Sequence, residues 1–324
     1  MQCRRHIPGF AFSLVFVLSY FTNKFVLSVL KFTYPTLFQG WQTFIGAVLL
    51  LLSGKLGWVE MSFITRSSAL SWLPASLLFV GNIYAGSRAL SRLDIPFFFT
   101  LQNSSHVVTY VITTALHREK HKTHRLKTIS IGLMLLSAVN LPLCDPQVAV
   151  MTRVLLLSVQ TSFNRLHLPP GQVDPSAYLW AVCHLLCAGA YKAFEFHKSS
   201  NLSDCEQYCI NCLFSVLVLA LAAHPTGDLT GALEFPALYS GVFHCGCGAS
   251  ALLGFLLLLV TVKLKRGLSR EHVGIWFFIS KVSAMSLSPL VFSVNINTSS
   301  FVCVLMALVG EALLVFSDRD STLG

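Results

Sequence analysis

The sequence predicts an all-α polytopic membrane protein, with ten transmembrane helices arranged as a five-plus-five inverted repeat. Three observations lead there. The 324 residues are 54% hydrophobic and 11% charged, under half the charge of an average soluble domain, where roughly 25% is usual. A bilayer crossing needs about 17–25 apolar residues, and such runs fall near 8–30, 35–54, 69–90, 95–116, 126–144, 176–196, 205–223, 238–263, 272–293 and 299–317. Features of the first five runs then recur in the second five.

Length alone would suit about two soluble domains, but the apolar runs overrule that reading in favour of one membrane domain. The opening, MQCRRHIPGFAFSLVFVLSYFTNK, has the charge-then-apolar layout of a signal peptide. It lacks a small-residue cleavage site after the run, so it reads as a retained first span. In the third span Gly81, Ala85 and Ala89 lie four residues apart and line one helix face, where a neighbouring backbone can come close. Pro96 opens the fourth, at a position where a missing N–H costs nothing. Gln102 and Asn103 then put amides into an apolar stretch, and polar groups at bilayer depth face a cavity or another helix. Residues 1–147 form the first half. Residues 148–172 hold a shorter run, broken by Arg153 and ended by Pro169-Pro170-Gly171, and read as an inserted loop with an interfacial helix. Residues 173–317 form the second half and 318–324 a cytosolic tail.

Charge fixes the orientation. The net charge of +9 would invite a nucleic-acid partner, but the basic residues cluster in short loops beside apolar runs, which is the positive-inside signal. With the N-terminus in the cytosol, sixteen of the 23 Lys and Arg fall on the cytosolic side and five opposite, with Lys24 and Lys281 inside spans. Both termini are therefore expected in the cytosol. An eleventh span within 148–172 would separate the termini and spoil this distribution. The ten cysteines scatter through apolar runs, which suits small buried hydrophobes better than a disulfide framework.

The repeat rests on three correspondences. Gly246, Ser250 and Gly254 of the eighth span copy the spacing of Gly81, Ala85 and Ala89 in the third; Phe10 to Lys24 in the first span matches Tyr178 to Lys192 in the sixth; and Gln102 and Lys281 each follow an apolar run in the fourth and ninth. An odd number of crossings per repeat inserts the second copy upside down. Two such halves around a central cavity favour alternating access over a static pore.

Lys281 is the sharpest single feature. It sits between IWFFIS and VSAMSLSPL, and a mid-span lysine costs about 2.5–3.5 kcal/mol on insertion scales. Either it pairs structurally with Glu311 of the tenth span or it binds an anion, and both can hold if a phosphate displaces Glu311. Asn23-Lys24 close the first span, where Lys24 serves a ligand or snorkels to the interface. Arg88 and Arg92, one turn apart, either draw an anion towards a cavity mouth or position the interface. Tyr84, Trp41 and Tyr20 offer aromatic faces. His106, His184 and His244 read as hydrogen-bonded core residues rather than proton carriers. The sets His244-Cys245-x-Cys247 and Cys205-x₃-Cys209-x₂-Cys212 match no familiar zinc spacing. Gly246-x-Gly248-x-x-Ala251 follows no strand and so is no dinucleotide fingerprint. No Walker loop, Gly-x-Ser-x-Gly or His-Glu-x-x-His is present. Neither an enzyme nor a metal or cofactor is expected.

The stretches SYFTNKFVLSVLKFTYPTLFQGWQ and WLPASLLFVGNIYAGSRALSRLDIPFFFTLQN resemble the nucleotide-sugar transporter family of the drug/metabolite transporter superfamily, in its GDP-mannose-transporter-like branch. The resemblance covers the chain except 148–172. It implies ten spans, cytosolic termini, a Golgi membrane (the endoplasmic reticulum second) and exchange of a cytosolic nucleotide sugar for luminal nucleoside monophosphate. Asn23-Lys24 match the family's Asn-Lys. Gln102-Asn103 stand where relatives often carry Lys-Asn, and of the motif Gly-Ala-Leu-Asn-Lys only Lys281 survives, in FFISK. The aromatic-asparagine motif that reads guanine is absent from the seventh and eighth spans. Phosphate recognition keeps its lysine while guanine and mannose recognition lose theirs, so the resemblance implies a UDP-sugar, UDP-N-acetylglucosamine first and GDP-mannose second. Lys281, Asn23, Lys24, Gln102, Asn103, Tyr84 and Arg88 are the expected substrate-binding residues. The expected partners are nucleotide sugar, nucleoside monophosphate and lipid, without nucleic acid, and a homodimer is an option. Transport of another organic anion and a non-transporting scaffold are the rival readings.

Overall fold

The computed structural model describes residues 2–62, 64–116, 125–144, 176–198, 202–294 and 296–323, and every regular element among them is helical. Helix α1 (Gln2–Lys24) runs on into a π-helical turn at Phe25–Val29. There follow α2 (Pro35–Lys55), α3 (Arg66–Arg92), α4 (Ile95–Asn103), α5 (Ser105–Leu116), α6 (Arg125–Cys144) and α7 (Ser176–His197). Then come α8 (Asp204–Ala223), the short α9 (Asp228–Leu233), α10 (Gly241–Gly267), α11 (Arg270–Val291) and α12 (Thr298–Leu323).

The helix ends follow from local chemistry. Proline occupies the first turn of α2 and α4, where no N–H is needed. The Thr65 hydroxyl accepts from the Ser68 N–H at the start of α3, and Ser203 with Glu206 forms a capping box on α8, each satisfying donors the helix leaves orphaned. Gly227, at φ 75°, turns the chain into α9 in a left-handed conformation that costs glycine little.

Each predicted span coincides with helix, but eight helices among the described residues are long and apolar enough to cross a membrane, against the ten expected. The fourth predicted span breaks at Ser104 into α4 and α5. The sixth, α7, carries His184, Lys192 and Glu195 among its apolar residues. The expected interfacial helix in 148–172 lies outside the described residues. Large apolar side chains such as Leu217, Leu221 and Leu290 are 64%, 78% and 80% exposed, a surface suited to lipid rather than water. The chain is a multi-pass membrane protein.

Packing joins the halves. Helix α1 packs on α10 and α11, α3 on α7 and α8, α2 on α8 and α10, α4 and α5 on α7, α4 on α11, and α6 on α12. The glycine positions make the close seams. A Cβ on Gly81 would stand 2.9 Å from Cys187 Sγ of α7, and one on Gly246 2.9 Å from Val26 beside α1. A continuous core runs through Phe12, Phe16, Leu27, Phe38, Ile95 and Phe99.

Candidate functional site

A cavity of about 350 Å³ lies among α1, α2, α3, α4, α7, α8 and α10, within the size range of small-molecule sites. Its polar wall comes from Tyr20 and Asn23 of α1, Gln39 and Gln42 of α2, Asn82 and Ser87 of α3, Gln102 of α4 and His184 of α7. Phe79, Phe98 and Leu257 supply apolar surface. Among the described residues, no Lys, Arg, Asp or Glu lines it. The cavity is polar yet uncharged.

Hydrogen bonds between helices hold the wall. Gln42 donates to Asn23 Oδ1 at 3.0 Å and to Ser250 Oγ, while Ser250 donates to the same Asn23 oxygen at 2.5 Å. Three helices thus meet on one amide. Gln39 donates to Ser87 at 2.5 Å, tying α2 to α3. The π-helical turn begins two residues after Asn23, and such turns recur at functional sites.

The cations stand outside this wall. The Lys281 ammonium donates to Glu311 Oε1 at 2.5 Å and to Asn103 Oδ1 at 2.7 Å, and Asn103 donates to Glu311 Oε2 at 2.8 Å. This closed triad is buried and neutral overall, with each partner satisfied, as buried charge requires. It adjoins the cavity through α4, where Gln102 faces the wall and Asn103 the triad. Lys192 lies within electrostatic reach of Lys281 and Glu311. Lys24 is spent on the carbonyls of Leu90 and Leu93, at 3.0 and 2.8 Å, at the end of α3. Arg88 reaches Asp228 at 3.5 Å and lies 5.8 Å from the Tyr84 ring centre, and that ring meets Trp180 edge-on at 5.5 Å.

No protein-family model matches the chain. It is 48% identical over 320 residues to "UDP-N-acetylglucosamine transporter TMEM241 homolog" of Xenopus laevis, covering 98% of this chain and 99% of that protein. It is 45% identical to "UDP-N-acetylglucosamine transporter TMEM241" of Mus musculus, covering 99% and 100%. This chain belongs to the TMEM241 family of nucleotide-sugar transporters. Similarity to the "GDP-mannose transporter 2" of Neosartorya fischeri is lower, 28% over 70% of this chain and 64% of that one. A crystal structure of another protein superposes with a TM-score of 0.56 at 14% identity, over 98% of this chain and 99% of the other, a likeness of fold alone.

Of the expected site residues of this TMEM241-family chain, Asn23 and Gln102 line the cavity. Lys281 and Asn103 come together, but with Glu311. Tyr84 and Arg88 come together, but beside Asp228. Lys24 caps a helix end. The reading from sequence missed Gln39, Gln42 and Asn82 as wall residues, although amides inside apolar spans are the signal that singled out Gln102. It placed His184 in the core. The ring is buried and hydrogen-bonded to Asn82 O at 2.9 Å, and it also forms part of the wall.

Proposed function

We propose that this chain is an antiporter of the Golgi membrane that carries UDP-N-acetylglucosamine into the lumen in exchange for nucleoside monophosphate. The observation carrying the reading is identity of 45% and 48%, over essentially the full length, to two transporters named for that substrate. The loss of the guanine-reading motif in this sequence supports uridine over guanosine.

The transport reading includes ten crossings in two inverted halves. Support comes from the packing. Exchanging the first span for the sixth, the second for the seventh and so on turns the α3–α7 contact into α10–α1, and α3–α8 into α10–α2. The same exchange turns α1–α11 into α7 against α4 and α5, and returns α2–α8 and α6–α12 to themselves. A pattern that survives this exchange is what an internal repeat produces, and five crossings per half make it an inverted one.

With the N-terminus cytosolic, the positions of Tyr208 early in α8 and Thr261 late in α10 carry the cavity towards the cytosol. On the luminal side Asp228 ties α9 to α2 and α3. The arrangement corresponds to a state receiving cytosolic substrate. In the mechanism we propose, Asn23 and Gln102 contact the ligand, and Lys281 receives its diphosphate once Glu311 and Asn103 release the ammonium. Arg88 and Tyr84 belong to the luminal closure, and Lys24 fixes the end of α3.

Purified protein in liposomes preloaded with UMP tests this. Uptake of UDP-N-acetylglucosamine that depends on internal UMP is expected; uptake of GDP-mannose in preference would reverse the assignment.

A further inference from the structure

Three buried side-chain atoms have no hydrogen-bond partner among the described residues and belong to residues of the cavity wall: His184 Nε2, Asn82 Oδ1 and Gln102 Oε1. Buried polar atoms in native proteins are nearly always paired, and each exception calls for an explanation. All three residues line one cavity.

The polarity of the histidine is fixed by its neighbour. His184 Nδ1 lies 2.9 Å from the Asn82 carbonyl oxygen. A carbonyl only accepts, so Nδ1 carries the hydrogen, and in the neutral ring Nε2 is left as an acceptor. The amides of Asn82 and Gln102 could rotate; the ring cannot exchange its roles. Its place is also built. A Cβ on Gly86 would stand 2.8 Å from Nδ1 and 3.0 Å from Cε1, so the ring approaches α3 only because position 86 is glycine. Phe98 packs on its other side, ring centres 5.0 Å apart. His184 lines the cavity as a residue while remaining 6% exposed overall.

A fixed acceptor on an uncharged wall selects a ligand part that carries hydrogen-bond donors. A diphosphate offers only acceptors and negative charge. The pairing edge of uracil offers a single N–H between two carbonyls, one donor for the one fixed acceptor. An acetamido sugar offers several hydroxyls and an amide N–H. We propose that His184, with Asn82 and Gln102, forms the sugar subsite, accepting hydrogen bonds from the hydroxyl and amide donors of the transported sugar. This rests on the nucleotide-sugar reading and assigns the cavity to the sugar end, leaving the phosphates to the Lys281 side of α4.

The test is binding by the purified full-length chain, measured separately for UDP-N-acetylglucosamine and UMP. His184→Phe keeps an aromatic ring and removes the acceptor. It is expected to weaken UDP-N-acetylglucosamine about ten-fold, the scale of one hydrogen bond, with much less effect on UMP. Gly86→Ala, which displaces the ring without changing its chemistry, is expected to act in the same direction, and His184→Gln to recover part of the loss. Equal weakening of UMP would put the nucleobase at this face and overturn the proposal, as would unchanged sugar-nucleotide binding in His184→Phe. Should the unmutated protein bind neither ligand, the uridine-nucleotide reading itself fails and this subsite falls with it.

Discussion

The Asp228 carboxylate accepts both the backbone N–H of Thr36, at 3.0 Å, and its hydroxyl, at 2.6 Å. The two residues are 192 positions apart and stand at the first turns of α9 and α2. With Arg88 of α3 on its other oxygen at 3.5 Å, this buried carboxylate bolts the second half of the chain to two helices of the first. A conformational change that opens this side has to break these bonds. Asp228→Ala removes all three at once and leaves the Thr36 N–H without its acceptor. A cysteine introduced at Ser87 is expected to become more reactive, in that variant, to an impermeant thiol reagent added on the side where α2 begins. Unchanged labelling would mean the closure lies elsewhere.

The Lys281–Glu311–Asn103 triad separates stability from transport. Glu311→Ala strands a buried ammonium and is expected to cost about 3–5 kcal/mol, read as a fall in Tm. The double variant Lys281→Met with Glu311→Leu removes both charges and is expected to recover most of that stability while exchange is lost. Normal exchange by the double variant would take Lys281 out of the mechanism.

Lys24 is expected to act on the fold rather than on the ligand. Lys24→Met strips two buried carbonyls of a charged donor and is expected to lower stability by about 2 kcal/mol. UMP affinity should change little. A parallel loss of affinity would return Lys24 to the substrate contacts that the sequence pattern gives it.

The glycine seams make a fourth case. Gly246→Val forces a branched side chain against Val26, where even a Cβ would come within 2.9 Å. Overpacking of this kind costs about 1–3 kcal/mol, so a lowered Tm is expected. Gly248→Val has open space on the same helix, nothing lying within 4 Å of its Cβ position, and should leave the Tm near that of the unmutated protein.

The pairing of Lys281 with Glu311 was legible because two opposite charges inside apolar runs have few other ways to be satisfied. The seam at Gly81 was legible from spacing alone. The cavity wall was not. Asn23, Gln42 and Ser250 belong to three helices more than 200 positions apart at the extremes, and nothing local says that Gln42 and Ser250 both close on the Asn23 oxygen. A cationic lining was the natural expectation, because a lysine in a span announces itself by its cost. Whether that cost is met by a ligand or by a neighbour depends on which helices touch.

By itself, then, the order of residues determined that this chain crosses a membrane repeatedly and which of its charges stand between the apolar runs. Apolar length and loop charge act on each segment alone, before any helix meets another. Which polar groups stay free was decided only by tertiary packing. The triad formed by α4, α11 and α12 spends Lys281, and the contact of α3 with α7 spends one nitrogen of His184 and leaves the other without a partner among the described residues. A donor or acceptor inside the bilayer takes the first partner that geometry brings within reach, and that geometry belongs to the assembled bundle.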